Sequence, residues 1–347
     1  HDSFLKNHLN IDHIISPEIE LGKSISRSLR VPGAFQVIPL AGGLIKMIGV
    51  RCTALTSLIN TPISYLNALV TDLDINIIAI VRDMKSFIPS PKDIILKDDM
   101  LYFVVDREKI DKTMMAFGHK TKDQRHIVIV GGGNVGLRLI QEIEEKHNFK
   151  LHVIEKNPRR AQEIAEKVSN TLVICGDSLD TDILCEAGVP SAETVVAVTQ
   201  DDRVNILSAL LAKKQGSNRA LILLNNSAYT PLLSSLGIDG AIDPRSVTIS
   251  RILYHIRQSH VKSVVSVANG LGQLIEFEVS TASDLIGTLP QTHMMKDLLI
   301  VAIVRQGKVH ITLDQLIIEA GDRMIIMAHK KALPKVEKIF ATSQNLF

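Results

Sequence analysis

Tryptophan is absent from the 347-residue chain, and aromatic residues make up only 4% of it. So little aromatic surface argues against a ligand site built on aromatic stacking. The chain is nevertheless 46% hydrophobic, with abundant isoleucine, leucine and valine, as is typical of α/β packing. Its length suits two or three domains of ordinary size.

Long apolar segments and a charge excess are also missing. The longest uninterrupted apolar run, residues 298–304, is far short of the ~18 residues that a membrane helix needs. No charged-then-apolar signal peptide opens the sequence. The 39 basic and 37 acidic residues leave a net charge of +2 with no basic block, which argues against a nucleic-acid partner. We therefore expect a soluble protein.

Cysteines are few and the usual reactive motifs are missing. Cys52, Cys175 and Cys185 are scattered without C-x-x-C spacing, so we expect small buried side chains of a reduced, cytoplasmic protein. The histidines form no motif, and no metal-ligand cluster, carboxylate pair or nucleophile elbow is present. We therefore predict neither a catalytic residue nor a metal site.

The most informative stretch is a glycine-rich turn between two apolar strands. Gly131, Gly133 and Gly136 have G-x-G-x-x-G spacing directly after the apolar residues 127–130. Glu155 ends the second strand, 22 residues after Gly133 (155 minus 133). A purely structural turn would explain the glycines alone, but the whole strand, turn, helix and strand order favours a dinucleotide-binding fingerprint.

Each part of this fingerprint has a physical reason. The first glycine permits a tight turn, the second lets backbone N–H groups approach a pyrophosphate, and the third lets the helix pack closely on the strand. The phosphates then lie at a helix N-terminus. A carboxylate at Glu155 would accept hydrogen bonds from the ribose hydroxyls and repel a 2′-phosphate, so we expect NAD rather than NADP.

Strand and helix patterns alternate five times after this point, which predicts a Rossmann-like doubly wound parallel sheet. The predicted strands are 127–130, 151–155, 172–175, 195–198 and 221–224. Between the last two we predict a helix over 205–214 with its apolar face on Ile206, Leu207, Leu210 and Leu211.

Polar residues follow several of these strands, where ligands bind in such sheets. They are Glu155, Asp177, Thr199 and Asn225. Asp177 is also explained as a helix cap and Asn225 as a turn residue. The pair at 201–202 is better explained by charges at a helix start than by metal ligation.

The chain repeats itself. Residues 25–29 (ISRSL) recur as 249–253 (ISRIL) at a separation of 224, and residues 79–82 (AIVR) recur as 302–305 at a separation of 223. These matches predict a tandem repeat of a module longer than 200 residues. The second copy starts near residue 126, so the nucleotide-binding half of the first copy would lie before residue 1.

The repeat predicts a domain order. Ser16-Pro17 and Asp243-Pro244 are typical helix starts, and each begins a linker helix that packs within the chain or against a second subunit. Small α+β domains follow both linkers, with helices expected over 61–70, 109–117, near Asp284 and over 331–340. The expected segments are a tail of the first Rossmann domain (1–16), a linker helix (17–32), a small domain (33–120), the Rossmann domain (121–242), a linker helix (243–260) and a second small domain (261–347).

These motifs together resemble the TrkA family, the peripheral cytosolic NAD-binding subunits of bacterial Trk potassium uptake systems. The resemblance rests on GGGNVG at 131–136, on VIE at 153–155 and GD at 176–177, on VAVT-x-DD-x-x-N at 196–205, and on the duplication with GD at 321–322. It implies two regulator-of-potassium-conductance (RCK) units, the first of which lacks its Rossmann domain here.

The resemblance also implies a function and a site. The chain would bind NAD(H), with ATP and ADP as alternatives, and would gate a separate TrkH/TrkG-like integral membrane subunit that translocates potassium. It would be a homodimer or tetramer on the inner face of the cell membrane, and no enzyme; an NAD-dependent oxidoreductase is the alternative. The implied nucleotide-binding residues are Gly131, Gly132, Gly133, Asn134, Val135, Gly136, Glu155, Asp177, Val198, Thr199 and Asn225.

Overall fold

The computed structural model describes residues 14–69, 73–120, 125–144, 148–256, 261–295, 297–333 and 336. The chain divides into two compact units. Unit one comprises residues 1–30 and 122–255, and unit two comprises 31–121 and 256–347. Residues 1–13 of the expected tail (1–16) and most of the expected closing helix at 331–340 lie outside the described residues.

The described strands and helices follow in chain order. The strands are β1 (Ala34–Leu40), β2 (Ile45–Arg51), β3 (Ile75–Arg82), β4 (Lys85–Phe87), β5 (Met100–Asp106), β6 (Arg125–Val130), β7 (Phe149–Glu155), β8 (Thr171–Cys175), β9 (Thr194–Ala197), β10 (Arg219–Leu223), β11 (Gly240–Ile242), β12 (Val261–Val267), β13 (Gly272–Glu278), β14 (Leu298–Arg305), β15 (Lys308–His310) and β16 (Arg323–His329). The helices are α1 (Pro17–Arg30), α2 (Leu66–Leu69), α3 (Ile110–Ala116), α4 (Asn134–Glu144), α5 (Pro158–Ala165), α6 (Thr181–Glu186), α7 (Asp202–Lys214), α8 (Thr230–Ser235) and α9 (Pro244–Ile256).

Unit one contains a six-stranded parallel sheet with the order β8-β7-β6-β9-β10-β11. Numbered along the chain, this is the order 3-2-1-4-5-6 of dinucleotide-binding sheets. The predicted Rossmann-like fold is therefore confirmed. The sequence pattern missed β11, because three residues at a sheet edge are too short to show a strand period.

Helix α7 lies on this sheet with a face that the sequence pattern did not predict. Its buried residues are Asn205, Ser208, Ala209 and Ala212, whereas Leu207, predicted to face the sheet, is 48% exposed. Small side chains let the helix axis approach the sheet closely, and the longer Ile206, Leu210 and Leu211 pack at its flanks.

Helix α1 packs against α4 within unit one. Its buried side chains include Leu21, Ile25 and Leu29. A Cβ added to Gly22 would lie only 2.9 Å from Cγ of Arg138, so the glycine permits the close approach of the two helices. The predicted linker helix at this position therefore buries its apolar face within the chain.

Unit two contains two five-stranded antiparallel sheets with the same strand order, β1-β2-β5-β3-β4 and β12-β13-β16-β14-β15. Strand β13 begins 227 residues after β2 (272 minus 45), and β14 begins 223 residues after β3 (298 minus 75). The separation of 223 found in the sequence is thus that of the equivalent strands β3 and β14, whereas β2 and β13 lie three residues further apart than the 224 found for residues 25–29 and 249–253. The antiparallel sheets confirm the predicted α+β class of both small domains.

Equivalent irregularities and ion pairs recur in both sheets. Strands β3 and β14 each shift register once in their pairing with the central strand. Arg82 forms a two-pronged ion pair with the buried Asp99, and Arg305 forms the same pair with Asp322. Each guanidinium also donates to a loop carbonyl, so the pairs stabilise the loop before the last strand.

Hydrogen bonds join the two sheets of unit two, and the one from Ala41 to Glu276 is buried. Ala41 N donates to Oε2 of Glu276 at 3.0 Å, and Glu276 is only 5% exposed. The repeat places Gly49 at the position equivalent to Glu276 (276 minus 227). A Cβ at Gly49 would meet the Phe35 ring at 2.5 Å, so an aromatic ring occupies the space next to this position in the first sheet.

Three local predictions were wrong. The segment near Asp284 forms turns, not a helix, and Gly287 follows with a φ of 81° that ends any helical path. The helix expected over 61–70 is a 3-10 turn (Ile63–Tyr65) followed by the single turn of α2, and Val70 lies outside the described residues. The three cysteines were expected to be buried, but only Cys52 is. Cys175 is exposed at the end of the edge strand β8, and Cys185 is exposed on the short helix α6.

Unit one contains a pair of histidines that should make its stability sensitive to acid. The rings of His126 and His152 stand edge to face with centroids 4.5 Å apart. Burial, with smaller contributions from His152 and Lys150, lowers the pKa of His126 to about 4, and burial also lowers the pKa of His152. Unfolded histidine titrates near pH ~6.5, so the unfolded state binds more protons below that pH.

We expect the free energy of unfolding to fall as the pH drops from ~6.5 towards 4, and the His126 contribution to level off below its folded pKa. Chemical denaturation of the wild type and of His126→Gln at pH 7.5 and pH 5 would measure this. The variant should lose less stability on acidification, and an identical loss in both proteins would contradict the prediction.

Candidate functional site

The glycine-rich turn joins β6 to α4 at the carboxyl edge of the parallel sheet. Gly131 has a φ of 102°, which favours glycine, and its added Cβ would lie 2.9 Å from Cγ2 of Thr199. A Cβ at Gly136 would lie 2.0 Å from the carbonyl oxygen of Gly131. These two glycines are therefore required by the fold itself, because they bring α4 directly onto the end of β6.

Gly133 differs from these two glycines. It has no left-handed φ, it is exposed, and its added Cβ would meet no described atom within 4 Å. Asn134 and Val135 follow it as the first residues of α4, with exposed and half-buried side chains. The turn thus presents a bare backbone beside a helix N-terminus, an arrangement that binds anions through N–H groups and the helix dipole.

Glu155 lies beside this turn at the end of β7. Its Oε2 accepts a hydrogen bond from Gly132 N at 2.8 Å, and its Oε1 accepts one from Asn157 N at 2.9 Å. Arg160 on α5 donates from Nε to the carbonyl oxygen of Gly132 at 2.9 Å. The predicted carboxylate is therefore adjacent to the turn, and its two oxygens keep lone pairs for further donors.

Asp177 lies beyond the next strand, after β8. Its Oδ2 accepts from Nζ of Lys156 at 2.7 Å and its Oδ1 accepts from Leu179 N. The hydrogen bond from Lys156 is the main cause that lowers the pKa of the Asp177 carboxyl group. Asp180, not Asp177, caps the following helix, so the helix-cap explanation of Asp177 does not hold.

Thr199 and Val198 lie on the other side of the turn, after β9. Val198 is buried and donates its N–H to Val130 O. Thr199 donates from its N–H and its hydroxyl to Oδ1 of Asn205, at 2.9 and 2.7 Å. The Asn205 amide in turn donates to the carbonyl oxygens of Thr199 and Leu223, so it ties the ends of β9 and β10 together.

Asn225 lies one strand further away, after β10. Its backbone N–H and side-chain amide both donate to Oδ1 of Asp202, at 2.9 and 3.0 Å, and the N–H of Asn226 donates to Oδ2. Asp201 caps α7, and Asn226 caps the short 3-10 turn that follows. The helix-start explanation of the acidic pair is therefore confirmed, and a cavity of about 770 Å³ opens beside these residues.

Sequence reasoning missed two residues as members of this site. The Asn205 side chain is completely buried and takes part in four hydrogen bonds. The available signal in the sequence was a polar residue at helical spacing from the small residues Ser208 and Ala212. Arg160 had no such signal, because its contact with Gly132 depends on how α5 returns across the sheet edge.

The described residues include no group of three or more His, Cys, Asp or Glu side chains arranged to hold a metal ion. Within the same part of the chain, no helix combines the length and the apolar character needed to cross a bilayer. The polar groups that the turn brings together are backbone N–H groups, one carboxylate and one guanidinium, which suit the recognition of phosphates and hydroxyls.

The unequal surroundings of the glycines predict unequal effects on stability. Gly136→Ala forces a methyl group onto the carbonyl oxygen of Gly131, so we expect a loss of about 2–4 kcal/mol in the free energy of unfolding. Gly133→Ala, its matched control, should change stability by less than ~1 kcal/mol. Urea denaturation would measure both, and equal losses would contradict the assignment of Gly136 to packing.

Comparisons with known families agree with the two sheet types. Residues 127–244 match the TrkA-N domain family, and residues 48–118 and 274–341 both match the TrkA-C domain family. Among solved structures, a crystal structure of the GsuK RCK domain is similar, with a TM-score of 0.54 at 17% identity over 98% of this chain and 73% of that one. The GsuK channel bound to NAD has a TM-score of 0.51 at 16% identity, over 95% of this chain and 59% of that one.

Curated relatives are closer in sequence. The Trk system potassium uptake protein TrkA of Azorhizobium caulinodans is 38% identical over 344 residues, which cover 99% of this chain and 75% of that protein. The protein of the same name from Haemophilus influenzae is 33% identical over 345 residues, covering 98% of this chain and 75% of that protein. With two copies of the TrkA-C domain flanking a TrkA-N domain, the chain belongs to the TrkA family.

Proposed function

We propose that the chain is the regulatory nucleotide-binding part of a potassium uptake system. It binds NAD(H) on the parallel sheet of unit one and controls a separate membrane subunit that translocates potassium. The names of its relatives from Azorhizobium and Haemophilus support the link to potassium uptake. The site itself supports the link to nucleotides.

The single observation that carries the binding proposal is the free space at Gly133. Gly131 and Gly136 are explained by their contacts within the protein, but no described atom of the protein requires a glycine at 133. A ligand that approaches the backbone closely does require one, and a pyrophosphate at the N-terminus of α4 is such a ligand. We assign this role to the turn from Gly131 to Gly136, including Gly132, Asn134 and Val135.

The remaining predicted residues receive roles from their positions along the sheet edge. Glu155, next to the turn, accepts hydrogen bonds from the ribose hydroxyls and disfavours a nucleotide that carries a 2′-phosphate. Asp177 lies one strand further, beside the adenine. Val198 and Thr199 border the turn on its other side, and Asn225 borders the cavity after β10.

We infer regulation rather than catalysis because the sequence contains no recognisable catalytic motif for hydride transfer to a second substrate. An oxidoreductase needs an acid or base next to the nicotinamide. A ligand instead shifts a conformational equilibrium by its different affinities for two states, typically by about 1–3 kcal/mol. Two nucleotides that compete for one pocket, such as NAD⁺ and NADH, would then shift the conformational equilibrium of the partner in opposite directions without being consumed.

The proposed organisation follows the repeat. The sheets β1–β5 and β12–β16 fall within the small domains expected at 33–120 and 261–347, and the parallel sheet falls within 121–242. We propose that α1 and α9 link these domains, and that the protein acts as a homo-oligomer on the inner face of the membrane beside its TrkH/TrkG-like partner.

Glu155→Ala tests the ribose assignment. We expect NAD⁺ binding to weaken by about 1–3 kcal/mol, since charge-assisted hydrogen bonds to the ribose are lost. Calorimetry with NAD⁺ and NADP⁺ would also show a smaller preference between them. Glu166→Ala, which removes an exposed carboxylate at the far end of α5, is the matched control. Unchanged affinity in Glu155→Ala would refute the assignment.

Potassium flux tests the function as a whole. The protein, reconstituted with its membrane partner in potassium-loaded vesicles, should change the flux when NADH replaces NAD⁺. Gly133→Val should fold but lose this response, because its side chain occupies the space assigned to the pyrophosphate. A potassium flux that is the same with both nucleotides would count against regulation. Steady NADH oxidation with an organic substrate would favour the oxidoreductase.

A further inference from the structure

Two helices that the repeat makes equivalent, α1 and α9, meet within unit one through charged side chains. Nε of Arg251 on α9 lies 3.6 Å from Oε1 of Glu20 on α1, and Nζ of Lys23 lies 3.9 Å from the same oxygen. Arg27 is the repeat equivalent of Arg251, at the separation of 224 (251 minus 27). It lies about two turns after Glu20, on the same face of α1. The repeat thus contributes the same arginine twice to one side of α1.

Helix α4 adds a further arginine to this region. A Cβ at Gly22 would lie 2.9 Å from Cγ of Arg138, so the stem of Arg138 lies directly against α1. Its Nη2 donates to Oε1 of Glu142 at 2.8 Å. Arg30 is exposed in the last turn of α1. The arginine cluster formed by these three helices comprises Arg27, Arg30, Arg138 and Arg251.

The two carboxylates that act on Arg27 are paired with other arginines. Glu20 pairs with Arg251, and Glu142 pairs with Arg138. Arg27 is half-buried, and its Nε is buried without a hydrogen-bond partner among the described residues, as is Nε of Arg138. Burial is the main cause that lowers the pKa of Arg27, and the neighbouring arginines lower it further. The cluster therefore has an excess of positive charge and unused N–H donors.

We propose that the arginine cluster binds a phosphate group, at a place separate from the nucleotide site. Guanidinium groups match the oxygens of a phosphate, and its negative charge would balance four arginines that face only two carboxylates. The cluster lies beside the second and third turns of α4, whereas the glycine-rich turn precedes the first. Because α1 and α9 lead from unit one into unit two, a bound phosphate would hold both connecting helices. A free phosphate ion and a lipid headgroup offer the same chemistry.

Calorimetry of the full chain with inorganic phosphate, at constant ionic strength, tests the site. Arg27→Gln should weaken binding by roughly tenfold or more, because charge-assisted hydrogen bonds are lost. Arg245→Gln, the matched control, removes an exposed arginine from the first turn of α9 and should bind as the wild type does. Gly133→Val alters only the glycine-rich turn and should also retain the binding. Loss in Gly133→Val with retention in Arg27→Gln would place the phosphate at the nucleotide site and overturn the proposal.

Vesicles distinguish the two sources of the phosphate. If the wild type binds phosphatidylcholine vesicles only when they contain phosphatidate, and Arg27→Gln does not, the phosphate belongs to a lipid headgroup. Binding of inorganic phosphate alone assigns the cluster to the free ion. A wild type that binds neither would overturn the proposal, whether or not NAD⁺ binds at the glycine-rich turn.

Urea denaturation separates ligand binding from a role of Arg27 in the fold. Without phosphate, Arg27→Gln should be at least as stable as the wild type, because it removes a half-buried charge that other arginines repel. Phosphate should raise the denaturation midpoint of the wild type and leave that of Arg27→Gln unchanged. A lower midpoint of Arg27→Gln without phosphate would show that the guanidinium stabilises the fold itself, and would overturn the assignment.

Discussion

The contact between Gly136 and the carbonyl oxygen of Gly131 sets the geometry on which the parallel sheet depends. Because no side chain separates them, α4 begins directly at the end of β6 and points its N-terminus across the sheet edge. The same edge brings Glu155 and Thr199 to either side of the turn. α1 packs on the outer face of α4, so the position of the turn is supported from both sides of that helix.

Buried polar groups connect this edge to its neighbours. The Asn205 side chain lies between α7 and the sheet, where an apolar side chain is more usual. It takes part in four hydrogen bonds with the residues at the ends of β9 and β10. A fully satisfied buried amide of this kind fixes one arrangement, because any shift of α7 would leave its donors unpaired at a cost of about 1–3 kcal/mol each. The cavity next to it is therefore bordered by rigid strand ends and a rigid helix start.

The sequence predicts the parallel sheet well because its strands are short apolar runs between clear turn residues. It predicts the duplicated sheets from the repeat, whose separation of 223 is that of the equivalent strands β3 and β14. It fails where tertiary contacts override local pattern. β11 is too short to show a period, α7 buries Ala209 and exposes Leu207, and the contact of Arg160 with Gly132 depends on chain geometry that no spacing reports.

The buried hydrogen bond from Ala41 to Glu276 joins two sheets that are copies of one another yet not interchangeable, since the position equivalent to Glu276 is Gly49. In two separate polypeptides such a pairing would depend on protein concentration. Within one chain the partners are always present at a ratio of one to one, and the high effective concentration of linked domains favours their association at any dilution. Duplication within a single gene product thus permits the two halves to diverge in sequence while their pairing is inherited intact.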